Sequence, residues 1–164
     1  MLTLILALVL LAAQTVAGLT WTAPAGWTSK GSTQMRAATY VLAENAECVV
    51  YFFGAGQGGS VQANLDRWKG QFTTSDGKPV PAKIAKAAVH GMPVTSIDIT
   101  GEYSGMGGPT AQTKTVANGF RLLGAIVEGP NGNVFLKFTG QADLVTRNEA
   151  KFKQLLDSFM KAFN

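Results

Sequence analysis

A glycine-rich connection between an apolar segment and an amphipathic segment is the first candidate for chemistry in this sequence. Gly54, Gly56 and Gly59 have the G-x-G-x-x-G spacing of dinucleotide-binding loops. Such a loop requires a second parallel strand after its helix, and an acidic residue at the end of that strand holds the ribose. The acidic residue at a suitable distance, Asp76, lies instead in a polar Asp-Gly turn. We therefore interpret the glycines as a tight connection, with the alternative that the helix N-terminus at Ser60 binds an anion.

The single histidine, His90, limits the catalytic sites that the chain can build. A Ser-His-Asp site would need a serine in a G-x-S-x-G turn, and the sequence contains no such turn. His90 and Met92 offer copper a nitrogen and a thioether, and Met106 is a further soft ligand. Two interpretations stay open: a hydrolase or copper-binding protein that uses His90, and a turn histidine without a chemical role.

Paired carboxylates are sparse. Asp98 and Glu102 lie four residues apart on one predicted strand, which separates them by about 13 Å, too far to share a proton. The dense oxygen-ligand loop of calcium sites is absent from the sequence. We predict no catalytic residue and no resident cofactor, and the sequence leaves the question of a bound metal open.

The glycine-rich segment of residues 103–109 predicts a mobile loop, since it is too long for a tight turn. Our first hypothesis is therefore a non-enzymatic binding or accessory domain that uses this loop. Its partner would be an envelope protein or a small ligand of unknown identity. The candidate binding residues are Tyr103, Ser104, Met106, His90, Met92 and Ser60.

The elements that must position these residues are strands joined mostly by short connections. Ser60 is placed to cap a helix whose apolar residues recur at helical spacing. Residues 129–132, Gly-Pro-Asn-Gly, predict a hairpin turn. Thr146 and Glu149 have the spacing of a capping box at the start of a C-terminal helix. We predict an α+β fold, an antiparallel β-sheet of about six strands with two main helices packed on it.

Charge and cysteine content exclude several functional classes. The net charge of +4 is spread along the chain without a run of three basic residues, so we expect no nucleic-acid partner. Cys48 is the only cysteine and begins an apolar strand, which predicts a buried thiol rather than a reactive one.

Trp21 and Trp27 either fasten the N-terminal arm to the body or form an exposed binding platform.

Residues 1–17 have the pattern of a secretory signal peptide. Their apolar run is too short for a lasting membrane anchor, and small residues, Thr15 and Ala17, precede the expected cleavage site. We therefore predict cleavage near Ala17, a single domain over residues 18–164, and export to the periplasm or the extracellular space. No stable membrane span is expected after processing, and the oligomeric state is not indicated.

Three segments resemble the PsbP-like fold superfamily, which includes an extrinsic photosystem II subunit, a Ran-binding transport protein and many exported bacterial proteins of unknown role. They are residues 21–27 (Trp-Thr-Ala-Pro-Ala-Gly-Trp), the hairpin of residues 123–140 and the tail of residues 152–159. The chain looks most similar to the uncharacterised exported bacterial members. The resemblance implies a PsbP-like α/β sandwich and, by analogy, a binding or accessory role. It implies no catalytic or metal-binding residue.

Overall fold

The computed structural model describes residues 14–43, 45–105 and 116–163. In this part of the chain the helices are α1 (Val61–Lys69), α2 (Ala142–Arg147) and α3 (Glu149–Asp157). The strands are β1 (Gln14–Val16), β2 (Leu19–Trp21), β3 (Thr28–Ser29), β4 (Arg36–Ala43), β5 (Ala46–Tyr51), β6 (Phe72–Thr73), β7 (Ala82–Val89), β8 (Met92–Tyr103), β9 (Ala117–Gly129), β10 (Gly132–Gln141) and β11 (Met160–Lys161).

The main sheet is antiparallel and has eight strands among the described residues. Its order is β3-β4-β5-β10-β9-β8-β6. Strands β6 and β7 both pair with the edge of β8 that faces away from β9. The antiparallel α+β architecture was therefore predicted correctly, whereas the count of about six strands was too low. The two-residue strands β3 and β6 extend the sheet at its ends, and segments this short carry no detectable alternation.

The N-terminal arm belongs to a second sheet, in which β2 pairs with β1 on one side and β11 on the other. Ala17 and Gly18 form the turn between β1 and β2, and both have positive φ angles. The predicted cleavage site near Ala17 therefore falls in this turn, and processing there would remove β1. No helix in the described part of the chain is long and apolar enough to cross a membrane.

Helix α1 begins as its sequence predicts. The Ser60 hydroxyl accepts a hydrogen bond from the Ala63 amide at 3.1 Å, which satisfies one of the unbonded N–H groups of the first turn. Gly70 ends the helix. Leu65 and Trp68 are buried beneath it.

The C-terminal helix differs from the prediction because it is divided into α2 and α3 at Asn148. Thr146 is not an N-cap. It lies inside α2, and its hydroxyl donates to the carbonyl of Ala142 at 2.6 Å, an alternative hydrogen bond that threonine can make within a helix. Glu149 begins α3 and forms an ion pair with Arg121 at 2.9 Å. The Thr146–Glu149 capping box was therefore wrong.

One face of the main sheet packs against α2, α3 and the N-terminal arm. Trp21 stacks on Phe159 with 4.9 Å between ring centroids, and its indole N–H donates to the hydroxyl of Tyr40 at 3.0 Å. Trp27 packs against Phe138 in the same core. Both tryptophans are buried, so they fasten the arm to the body as predicted and form no exposed platform. Cys48 is buried in this core as well.

The opposite face is covered by α1, but only in part. Trp68 of α1 packs on β9 where Gly124 leaves room for it, since a Cβ at Gly124 would lie 2.7 Å from the indole ring. The buried residues of this second core lie on α1, β6, β8, β9 and β10. Residues of β4 and β5 that share this face line an open space instead. The helix therefore stops short of one half of the sheet.

Candidate functional site

A cavity of about 880 Å³ occupies the part of the sheet that α1 leaves uncovered. This volume lies within the range of pockets that hold small molecules. The walls come from β4, β5 and β10 of the sheet, from α1, and from the end of β8. The charged, amide and aromatic side chains of the lining include Arg36, Glu47, Tyr51, Phe53, Arg67, Trp68, Gln71, Tyr103, Phe135 and Lys137.

Strand alternation explains why these side chains meet. In the register of β5 and β10, Lys137 lies opposite Val49 and Phe135 lies opposite Tyr51. Successive side chains of a strand point to opposite faces. The intervening residues Val50 and Leu136 are accordingly buried in the other core. The same two strands thus provide both a packed core and a cavity wall.

Lys137 is the central polar group of the cavity. Its ammonium donates to Gln71 Oε1 at 2.7 Å and to the hydroxyl of Tyr103 at 2.8 Å, and both acceptors are neutral. Burial, reinforced by the nearby positive charge of Arg67, lowers the pKa of Lys137 from 10.5 to about 8. None of the ion pairs formed by the described residues includes Lys137.

The two arginines of the cavity differ in their partners. Arg36 forms an ion pair with Glu47 at 3.2 Å, and its guanidinium lies 5.6 Å from the centre of the Tyr51 ring. Arg67 donates to the side-chain oxygen of Asn64 and forms no ion pair with any carboxylate in the described part of the chain. Arg36 is therefore neutralised by Glu47, whereas the charge of Arg67 is not.

The glycine-rich connection contributes to the site indirectly, by positioning Arg67. The side-chain amide of the buried Asn64 donates to the carbonyls of Gly58 and Ser60, at 2.8 and 2.9 Å, and its oxygen accepts from Arg67. Gly58 has a φ of +89°, and a Cβ there would lie 2.8 Å from the ring of Phe135. Glycine is thus required at this position by both conformation and space.

Aromatic rings give the cavity an apolar wall. Phe53 stacks on Tyr51 with 5.8 Å between ring centroids and packs against Phe135 at 5.6 Å. Burial raises the pKa of the Tyr51 and Tyr103 hydroxyls, so both remain neutral at physiological pH. The cavity therefore combines cationic groups with neutral phenols and aromatic surface.

The residues predicted from the sequence to bind a ligand do not form one site. Tyr103 is buried at the end of β8 and lines the cavity. Ser104 follows it, and both its amide and its hydroxyl donate to the carbonyl of Gln71, at 2.9 and 3.2 Å. Met106 lies outside the described residues. Because Gly105 lines the cavity, the segment predicted to be a binding loop starts at its edge.

His90 and Met92 lie away from this cavity. His90 is in the exposed turn between β7 and β8, with its Nδ1 2.7 Å from the carbonyl oxygen of Phe159. Met92 is only 2% exposed and belongs to the core beneath α3. Among the described residues no group of three or more His, Cys, Asp or Glu side chains is arranged to hold a metal. The copper site stays a prediction.

Ser60 and the glycine motif form the tight connection that leads into α1, as predicted. The Ser60 hydroxyl already bonds the Ala63 amide. The strands beside α1 in the described part of the sheet are antiparallel, so the second parallel strand of a dinucleotide-binding fold is not formed there. The role of the glycine motif is therefore to fix the start of α1, through the hydrogen bond between Asn64 and the carbonyl of Gly58.

Sequence reasoning missed Lys137, Arg67, Arg36, Gln71 and Tyr51 as site residues. One signal was present for Lys137, because it is the only charged residue between Val134 and Gly140 in an otherwise apolar strand. A lone charge in a buried strand indicates either an ion pair or a site. The other residues carry no comparable signal, since they become neighbours only through sheet pairing and the placement of α1.

No family model matches the chain, and no curated protein matches it. The solved structures that are similar to it include two that each cover 88% of this chain. One is the solution structure of cyanobacterial PsbP (CyanoP) from Synechocystis sp. PCC 6803, with a TM-score of 0.49, 11% identity and coverage of 88% of this chain and 87% of that one. The other is PA94 from Pseudomonas aeruginosa, a protein of unknown function, with a TM-score of 0.49, 14% identity and coverage of 88% of both chains. The first of these structures is a PsbP, and the sequence resemblance given above is to the PsbP-like superfamily.

Proposed function

We propose that the protein is an exported, non-enzymatic binding module whose cavity beside α1 takes up a small anion with an apolar body. The observation that carries this proposal is the ammonium of Lys137, which lies within the cavity and is bonded only to neutral groups. Lys137 is half-buried, and a charge that is partly withdrawn from water is costly unless a counter-charge accompanies it. An anionic ligand would supply that counter-charge.

Arg67 adds a second cation to the same cavity. Its planar guanidinium suits a carboxylate, which it can bind with two parallel hydrogen bonds. Glu47 is the one carboxylate that lines the described walls, and Arg36 holds it. The charge that remains for a ligand to neutralise is therefore positive, which favours carboxylates over amines and neutral molecules.

The apolar part of the ligand is inferred from the aromatic wall. Tyr51, Phe53, Trp68 and Phe135 present ring surface to the cavity. Aromatic and apolar ligand groups bind such surfaces because both lose contact with water. The volume of about 880 Å³ accommodates a molecule of one or two rings.

Export is proposed from residues 1–17, whose composition has the signal-peptide pattern. The binding role is proposed from the cationic groups and the aromatic surface of the lining, which contains no histidine and no cysteine among the described residues. The hydrolase and copper hypotheses depend on His90, which lies outside the cavity lining. No described contact of His90 favours them.

Calorimetric titration with a matched pair of ligands tests the proposal. We expect 3-phenylpropanoate to bind and its neutral amide to bind at least about tenfold more weakly, because only the carboxylate neutralises Lys137 and Arg67. Lys137→Gln should weaken binding of the carboxylate by about tenfold or more. Lys153→Gln, which alters a surface lysine paired with Asp157, is the matched control and should leave binding unchanged. Equal affinity for the acid and the amide would contradict the proposal.

A further inference from the structure

We propose that Lys137 forms an imine with the carbonyl group of an oxo acid whose carboxylate is bound by Arg67. This inference rests on the proposed function, because it uses the same cavity and assigns the class of ligand. It goes further by making the lysine a nucleophile as well as a counter-charge.

The surroundings of Lys137 suit a reactive amine. Its two hydrogen-bond acceptors, Gln71 Oε1 and the Tyr103 hydroxyl, are uncharged and fix the direction of the amine within the cavity. No carboxylate in the described part of the chain forms an ion pair with it. The charge of Glu47, which lines the same cavity, favours the protonated form, but burial and the charges of Arg67 and Arg36 outweigh it. Desolvation of a lysine among apolar groups is a known way to activate it towards carbonyl compounds.

The lowered pKa of Lys137 increases the fraction of its side chain that is an unprotonated, nucleophilic amine. With a pKa of about 8, roughly a tenth of the Lys137 side chains are unprotonated at about pH 7. An ordinary lysine with a pKa of 10.5 has roughly 300-fold less of the free amine at the same pH. Reaction should therefore favour Lys137 over the exposed lysines.

Arg67 is the group that would bind the carboxylate of the oxo acid. One of its terminal nitrogens donates to Asn64, which fixes the guanidinium on α1. Arg67 and Lys137 line the same cavity, and the positive charge of Arg67 contributes to the lowered pKa of Lys137. A molecule that carries a carboxylate beside a carbonyl can then place the first on Arg67 and the second at Lys137. The aromatic wall beside them favours an oxo acid with an apolar side chain.

The reaction balances without an oxidant or a reductant. The lone pair of the neutral Lys137 Nζ attacks the carbonyl carbon, a C–N bond forms, and the electron pair of the C=O π bond moves to oxygen. The oxygen gains a proton and the nitrogen loses one, which gives a carbinolamine. Loss of the hydroxyl group as water, with a second proton transfer, forms the C=N bond. The Tyr103 hydroxyl, 2.8 Å from Nζ, is placed to relay these protons.

Reductive trapping tests the imine. The full chain is incubated with phenylpyruvate and sodium cyanoborohydride at about pH 7, and peptide mass mapping locates the added mass. We expect Lys137 to carry at least about tenfold more label than any other lysine, because its amine is far less protonated. Lys137→Arg should lose this label, and the surface variant Lys153→Arg should keep it. Mapping of the unmodified chain decides the matter even where a variant does not fold.

A second arm tests the role of Arg67. Arg67→Met removes a charge that helps to lower the pKa of Lys137, so labelling by both probes should fall to some extent. Labelling by phenylpyruvate should fall about tenfold further than labelling by phenylacetaldehyde, which lacks the carboxylate. An equal loss with both probes would overturn the assignment of Arg67.

Parallel titration with 3-phenylpropanoate separates this inference from the proposed function. If 3-phenylpropanoate and phenylpyruvate both bind but the label is spread over exposed lysines or misses Lys137, the imine is wrong and the anion site stands. If neither compound binds and Lys137 is unlabelled, both proposals fall.

Discussion

The ammonium of Lys137 lies 2.8 Å from the hydroxyl of Tyr103, although 34 residues separate the two along the chain. Tyr103 ends β8 and Lys137 is in the middle of β10, with β9 between these strands. The contact therefore depends on a three-strand pairing. It places a cation in an aromatic environment without an ion-pair partner among the described residues, and such an arrangement lowers the stability of the folded state.

Replacing Lys137 by methionine should stabilise the folded protein and weaken anion binding by about tenfold or more. Methionine fills a similar volume without a charge to desolvate, and the lost hydrogen bonds to Gln71 and Tyr103 offset only part of this gain. We expect the free energy of unfolding to rise by about 1–2 kcal/mol at neutral pH, as measured by urea denaturation. Lys153→Met, at an exposed position, should change it by less than about 0.5 kcal/mol.

The stability gained by Lys137→Met should depend on pH, and the sign of this dependence follows from the lowered pKa of Lys137. The pKa of Lys137 is about 8 in the folded protein and about 10.5 in the unfolded chain, so the unfolded chain holds more protons between these values. The free energy contributed by Lys137 thus becomes more favourable to the fold as pH rises from about 8 to 10.5. The advantage of Lys137→Met should be complete below pH 8 and shrink above it. A gain that is constant across this range would contradict the lowered pKa.

Replacing Gly124 by alanine should disturb the cavity through Trp68. The added methyl group would lie 2.7 Å from the indole and 2.8 Å from Ile97, so the helix must shift. Overpacking of this kind costs about 1–3 kcal/mol of stability. We expect a lower thermal midpoint, together with a change in tryptophan fluorescence. Gly70→Ala, at a helical φ of −65° at the end of α1, is the control and should leave both nearly unchanged.

The thiol of Cys48 should be unreactive until the protein unfolds. Cys48 is fully buried, and burial raises the pKa of its thiol, so the thiolate that reacts with disulfide reagents is scarce. We expect no reaction with a chromogenic disulfide within the time in which a small free thiol reacts completely. In about 6 M guanidinium chloride one equivalent should react. Rapid labelling of the folded chain would show that the core opens at β5.

If export occurs as the sequence predicts, the protein recovered outside the cytoplasm should begin at Gly18. Mass spectrometry of the exported chain checks this directly. Cleavage there removes β1, whose pairing with β2 covers three residue pairs. Because β2 also pairs with β11 and Trp21 is stacked on Phe159, we expect the processed chain to stay folded with a thermal midpoint only a few degrees lower. An exported chain that retains residues 1–17 would contradict the signal-peptide assignment.

Local signals were enough to predict much of the fold. The Ser60 cap, the hairpin turn between β9 and β10, and the burial of Trp21 and Cys48 all depend on residues close in sequence or on hydrophobicity alone. The division of the C-terminal helix at Asn148 was missed, since the hydroxyl of a threonine can serve either a cap or a helix interior.

The cavity could not be predicted in the same way. It exists because α1 covers only part of one sheet face, and this depends on where Trp68 meets Gly124 across the fold. Lys137 and Tyr103 become neighbours through strand register, and Arg67 is directed by Asn64 from within α1. Such relationships arise from tertiary packing, which hydrophobic periodicity does not encode.

The alternation along β5 and β10 also bears on how the protein can change over generations. Val50 and Leu136 hold the packed core, whereas their neighbours Tyr51 and Lys137 face the cavity. Substitutions at the second pair need not disturb the first, because adjacent side chains of a strand point to opposite faces. The lining of the cavity can therefore diversify among descendants of this chain, or be redesigned in the laboratory, while the packed core on the other face of the sheet is inherited intact.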